Sequence, residues 1–382
     1  MANIEDYLDW RSDVPFSVSP FNEVDNLILS ELVYSAFDGI VPGPGVKEKI
    51  SLEEACRLFF EKFDDETIIS QTTMTKMAPF LMRKMAGSPR YKGTKLCGFV
   101  NELEQESQSQ FAAISYYLPD GSIYACFRGT DDTLIGWRED FNMCFSAGTG
   151  GQLKAVEYLN DNFSRTMRPI RVGGHSKGGN FAVYASAFCR SSVKDNIVEV
   201  YSNDGPGFID EIVNTSEYKS IIKRIKSIIP EQSVVGLLMC NKFTSKIIKS
   251  EAKGINQHDP LSWQVLGNHF VEADSLNGIS IMIDETLKQW VVGVDYETRN
   301  LFGEIVFSAL SSSGATRLSQ VTGGGVRSMA ALTKEYQALD KEQQQFISEI
   351  LMKLVGAGGE TVKNSFVDKL TKLVKTEKNK EK

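Results

Sequence analysis

The chain has 382 residues and a formal net charge of −7, with an ordinary balance of apolar and charged side chains, which fits one large domain with additions or two domains. The acidic balance argues against a nucleic-acid binder, which needs a basic face. No apolar run reaches the length of a membrane span, and the opening "MANIEDYLDWRSDV" lacks the apolar centre of a signal peptide, so the expectation is a soluble, cytoplasmic protein.

Residues 1–20 read as irregular. "VDNLILSELVYSAFDG" then has apolar residues at helical spacing, with Gly39 as its stop. "VPGPGV" is a turn-rich linker, and Ser51 with Glu54 forms a capping box ahead of the helix "LEEACRLFFEKF". A third helix covers "TKMAPFLMRKM". Beyond Gly93 the pattern changes to strands: "LCGFVNEL", "FAAISYYL" and "SIYACFRGT", the last two joined by the turn "PDG". "GGQLKAVEYLNDNF" is helical, and "IRVGG", "VEVYSNDGPGF", "IKRIKSIIP" and "SKIIKS" supply further strands. This alternation predicts an α/β fold with a mostly parallel sheet and helices on both faces. From about Ser275 the pattern is helical, ending in a polar basic tail; "TGGGVR" reads as a linker and "NSFVDKLTKLVK" as a packed terminal helix. The expected organisation is an N-terminal helical segment (1–92), a core (93–275) and a C-terminal helical region (276–382). The six cysteines show no C-x-x-C spacing, so they read as buried reduced thiols. No metal or cofactor site is expected.

One stretch carries chemistry. Gly174-His175-Ser176-Lys177-Gly178 fits G-x-S-x-G between a strand and a helix, the context of a nucleophile elbow. A sharp turn strains the serine backbone, and side chains on the flanking glycines would strike the neighbouring strand and helix. Neither phosphate-cradling glycine pattern is present.

A serine hydroxyl needs a base, and the chain has three histidines. His175 adjoins Ser176, but neighbouring side chains on a tight elbow point apart. His269, in "LGNHFVE", reads as helical. His258, in "GINQHDPLSW", lies in a loop after the last strand, which gives the chain order Ser…acid…His. For the acid, Asp204 ends a strand before Gly-Pro-Gly, Glu231 ends the following one, and Asp259 reads as a local turn former. Asp204 is favoured because its tight loop lies at the carboxyl edge of the sheet. The oxyanion donors would be the N–H of Lys177 and that of Thr130, after the strand "YACFRGT".

"FRGTDDTLIGWREDF" followed by "GGHSKGGNFAVYA" resembles the class 3 (fungal-type) lipases of the α/β-hydrolase superfamily. The lysine after the serine, "NDGPGF", "SVVG" and "QHDPLSW" are similar to a related bacterial family of lipase-like proteins of unknown function. The resemblance spans roughly Asp25 to Leu310 in the bacterial family and Cys97 to His258 in the lipases. It implies an α/β-hydrolase fold, Ser176 as nucleophile, His258 as base, Thr130 and Lys177 as oxyanion donors, and an ester or lipid substrate. There is one departure. Class 3 lipases place their acid in an Asp-x-Val-Pro context, where this chain has Ser233 in "EQSVVG", and serine cannot do that work. The acid is then Asp204 or Glu231. The sequence thus points to a serine carboxylic-ester hydrolase. A thioesterase or peptidase with the same triad, or a retired hydrolase fold used for interaction, is the alternative.

Overall fold

The computed structural model describes residues 1–71, 75–131 and 133–277, with short stretches between 300 and 348. Most of the expected C-terminal helical region, with "TGGGVR" and "NSFVDKLTKLVK", lies outside them. In chain order the helices are α1 (Ile4–Arg11), α2 (Glu23–Leu32), α3 (Leu52–Lys62), α4 (Asp65–Ile69), α5 (Ala78–Ala86), α6 (Leu134–Met143), α7 (Gly150–Phe163), α8 (Lys177–Phe188), α9 (Ser191–Lys194), α10 (Asp210–Val213) and α11 (Ser216–Ile221). The strands are β1 (Ile50–Ser51), β2 (Lys95–Glu104), β3 (Ser109–Tyr117), β4 (Ile123–Phe127), β5 (Ile170–His175), β6 (Ile197–Asn203), β7 (Ile225–Pro230), β8 (Ser245–Ile248), β9 (Val265–Leu266) and β10 (His269–Phe270).

Strands β1 to β8 form one sheet in sequence order. The first four pair antiparallel, and β4 to β8 run parallel. The protein therefore has an α/β fold with a mixed sheet that is parallel over the half where the elbow falls. Successive parallel strands placed side by side in one direction send right-handed crossovers to the same face, and the core divides accordingly. On one face the crossover helices α7, α8 and α11 cover Phe111, Ala125, Phe127, Val172 and Val200. On the other, α1, α2, α3 and α5 cover Tyr116, Tyr124, Cys126, Tyr201 and Ile228.

The N-terminal helices are thus half of the covering layer. Helix α1, absent from the expected elements, is started by Asn3, which accepts from the Glu5 and Asp6 N–H groups. In α2 every residue after Glu23 is buried, and Asn22 and Asp25 form a reciprocal cap. Its polar residues meet polar residues of the sheet. Asn26 donates to Asn203 at 2.8 Å, and Tyr124 Oη bonds Asn26 Oδ1 at 2.6 Å and Ser30 Oγ at 2.8 Å. The helix stops at Leu32, short of the expected Gly39, because Tyr34 and Ser35 tighten into bonds three residues back. Of the capping box expected at α3, the Ser51 half forms; Glu54 turns to Arg57 instead.

His269 is not helical. It stands exposed in the two-residue strand β10, paired antiparallel with β9 across a turn at Gly267, whose φ is +65°. That positive φ is incompatible with a helix through this segment. No disulfide joins any of the six cysteines. Among the described residues no helix is long and apolar enough to cross a membrane, and no cluster of side chains is arranged to hold a metal ion.

Candidate active site

Strand β5 runs into α8 through Ser176, whose φ of 57° and ψ of −132° leave the regular regions. A Cβ on Gly178 would overlap the Phe127 carbonyl oxygen, and one on Gly174 would overlap both that oxygen and Gly178. Both glycines are thus fixed by close approach of backbone. The Ser176 N–H donates to Asn203 O at 2.9 Å, which sets the elbow beside the end of β6.

The next residue is Asp204. It is fully buried, and at φ 47° it joins Ser176 among four described non-glycine residues with positive φ. Such strain persists where the surroundings over-determine it. Asp204 Oδ2 lies 2.6 Å from His258 Nδ1, while Oδ1 accepts the Ser233 hydroxyl at 2.5 Å and the Gly236 N–H at 3.1 Å. The imidazole is therefore met by Asp204. Glu231 is tied by its backbone, its N–H to Ile248 and its carbonyl to Asn277. Asp259 accepts from the Leu261 N–H, the turn role expected of it. Ser233 thus donates to the same carboxylate that meets the imidazole. Among the described residues, no hydrogen bond joins Ser176 Oγ to His258.

The turn after β4 comes up against the elbow. A Cβ on Gly129 would lie 3.0 Å from Ser176 Cβ. Thr130 Oγ1 donates to Asp140 Oδ2 at 2.5 Å. The Lys177 N–H opens α8, where first-turn donors have no intrahelical acceptor. The Lys177 side chain dives under α6. Its Nζ meets Glu139 at 3.2 Å and Gln110 at 3.0 Å, with 1% of the lysine and 1% of the glutamate side chains exposed. Glu139 also accepts the Gln110 and Gly151 N–H groups, so this buried charge pair is fully hydrogen-bonded.

Asp140 is pushed up to about 6 by burial, against the opposing pull of Lys177 and the Thr130 hydroxyl. An ordinary aspartate titrates near about 3.9. Between roughly pH 4 and 6 the native state thus holds this proton more firmly than the unfolded chain, and this group's contribution to stability declines as pH rises through that window. Asp140→Asn removes the titration. The stability difference between parent and variant, from urea unfolding, is expected to change across this window and level off above about pH 7. A pH-independent difference would refute the assignment.

Residues 85–308 match the Mbeg1-like family, more than half of the chain. The chain belongs to the Mbeg1-like family, a lipase-like family. No curated protein matches it. Among solved structures it is similar to the native lipase–propeptide complex of Rhizomucor miehei at 16% identity, covering 44% of this chain and 66% of that one, with a TM-score of 0.30. A deletion mutant of the same complex aligns at 13% identity over 62% of this chain and 75% of that one, with a TM-score of 0.33.

The Mbeg1-like match contains Thr130, Ser176, Lys177, Asp204 and His258. Sequence reasoning missed Asp140, Glu139 and Gln110. "GWRED" offered the two acids, but partners of Glu139 lie on β3 and α8, remote in sequence. It also missed Glu31 and Tyr34, which precede the Mbeg1-like match and reach His175 from the far side of the sheet.

Proposed function

We propose that this Mbeg1-like chain is a serine hydrolase of carboxylic esters built on the α/β-hydrolase fold, with residues 93–275 as its core. Ser176 Oγ attacks the acyl carbonyl and His258 Nε2 takes the hydroxyl proton. Asp204 holds the imidazole and stabilises its charged form. Negative charge developing on the carbonyl oxygen meets the N–H groups of Thr130 and Lys177. His258 returns its proton to the departing alcohol, and water then releases the acyl group from Ser176.

The observation that carries this reading is the 2.6 Å bond from His258 Nδ1 to Asp204, a buried carboxylate that directly follows the strand end bonded to the elbow. A carboxylate on Nδ1 leaves Nε2 as the nitrogen that accepts a proton. Contacts between nucleophile and base are often long without substrate and tighten in the complex.

The test is purified full-length chain with p-nitrophenyl esters of increasing acyl length and a fluorophosphonate probe. Hydrolysis and labelling at Ser176 are expected. His258→Gln should remove both, whereas His269→Gln should be silent, since that ring is exposed in β10. Labelling of another residue, or equal losses in the two variants, would overturn the reading.

A further inference from the structure

The turn after α2 and the last turn of that helix deliver two side chains to the underside of the elbow. Tyr34 Oη and Glu31 Oε1 each stand 3.5 Å from His175 Nδ1. Tyr34 Oη also accepts the Gly129 N–H at 3.0 Å. On the other side of the ring, His175 Nε2 lies 2.9 Å from the His258 carbonyl oxygen, and the two imidazole centroids are 4.5 Å apart. One buried ring therefore touches the loop that carries His258, while its hydroxyl partner touches the turn that carries Thr130.

The chemistry of the partners sets the direction of each bond. A carbonyl oxygen only accepts, so His175 Nε2 carries the ring hydrogen. Burial and the neighbouring His258 hold the His175 pKa well below its ordinary range, which leaves Nδ1 as an acceptor. Tyr34, having accepted from Gly129, still has its own O–H to donate. Glu31 Oε1 lies beside the same nitrogen without a hydrogen bond of its own, and burial with the charge of Asp259 pushes its carboxyl well above the usual range. The groups facing the ring are Glu31 and Tyr34 from α2 and its turn, with His258 and Trp263 from the opposite loop. The donors run one way, from the Gly129 N–H through Tyr34 and His175 to the His258 carbonyl.

We infer that Tyr34 and His175 are positioning residues that tie the Gly129–Thr130 turn to the His258 loop, so that oxyanion donors and base keep one spacing about Ser176. The catalytic part of this inference rests on the hydrolase reading. The tie itself does not. Tyr34 precedes the family match, so the helical layer before the core belongs to the working site as well as to the fold. A displacement of about 1 Å in such a site is enough for a hundredfold loss.

The test uses the full chain labelled with ¹⁵N histidine and ¹⁵N glycine, where three rings and the Gly129 amide are assigned by single substitutions. His175 should hold one Nε2–H form from about pH 5 to 8, the span in which an ordinary histidine changes charge. Tyr34→Phe should shift the His175 Nδ1, Gly129 amide and His258 ring resonances. In folded Tyr34→Phe, kcat should fall about ten- to a hundredfold with KM within about threefold, and fluorophosphonate labelling should slow by the same factor. His175→Gln offers an N–H and a C=O in place of the two ring nitrogens and should stay within about tenfold of the parent; His175→Leu offers neither and should lose about a hundredfold. Parental kcat in folded Tyr34→Phe, or equal rates in the two His175 variants, would overturn the inference. If the parent neither turns over esters nor takes the probe, the hydrolase reading fails; the resonances then decide the tie alone, and unchanged Gly129 and His258 signals in Tyr34→Phe would refute it.

Discussion

Ser176→Ala is expected to abolish ester hydrolysis, with a loss of about 10⁶ in kcat by analogy with the removal of a protease nucleophile. The residual rate would come from binding and from the oxyanion donors alone. The substitution should leave the fold intact for a local reason. What holds the elbow is its backbone: the Ser176 N–H on Asn203 O, and the glycines at 174 and 178 packed against Phe127. Alanine keeps the Cβ that fills the space beside Gly129, and the strained φ of 57° costs either residue alike. Thermal melts of parent and variant should therefore nearly superimpose while activity vanishes. A variant within tenfold of the parent would mean that the ester chemistry happens elsewhere.

Asp204→Asn is the second large effect, about 10⁴ in kcat, and the surroundings of the carboxylate say why. Oδ1 is held by two donors, the Ser233 hydroxyl and the Gly236 N–H. An asparagine would keep its carbonyl oxygen there and turn its NH₂ toward His258 Nδ1. That group can only donate, so Nδ1 would have to accept and the ring proton would move to Nε2. The imidazole would then present a hydrogen to Ser176 where it needs a lone pair. Binding should change little, so the loss belongs in kcat. Glu231→Gln should be nearly silent, because the imidazole meets Asp204 and not Glu231. A large loss in Glu231→Gln with a small one in Asp204→Asn would reverse the two assignments.

The parts of the site legible in the sequence were those whose chemistry is local. Ser176 announced itself through glycines that the backbone needs within two residues of it. His258 and Asp204 could be picked out because few candidates lay after the elbow, and strand ends with turn residues mark the edge where sites assemble. The position of Ser233 pulled the other way. The resemblance to class 3 lipases puts serine where their acid stands, and only three dimensions bring its hydroxyl onto the Asp204 carboxylate 29 residues earlier. Helix α6 was hidden because its first turn follows directly on the Thr130 turn, with Thr133 as its cap and four buried residues to signal a face. Glu31 and Tyr34 were invisible for a related reason. Read as a helix running to Gly39, the segment offered them only ordinary places on its surface. The early stop at Leu32 comes with bonds three residues back, and the side chains it delivers meet residues 129 and 175, far along the chain.

Some partners of α2 lie far down the chain. Asn26 bonds Asn203, and Glu23 accepts from Lys246 and from the Phe270 N–H. During synthesis this helix leaves the ribosome well before the strands it covers, and contacts of such sequence separation form slowly. The N-terminal layer can close over Tyr124 and Tyr201 only once the strands that carry them are in place. Unfolding that begins at this end would uncover that aromatic face and withdraw Tyr34 from Gly129 in the same motion, so loss of the site and exposure of a sticky surface would share one rate.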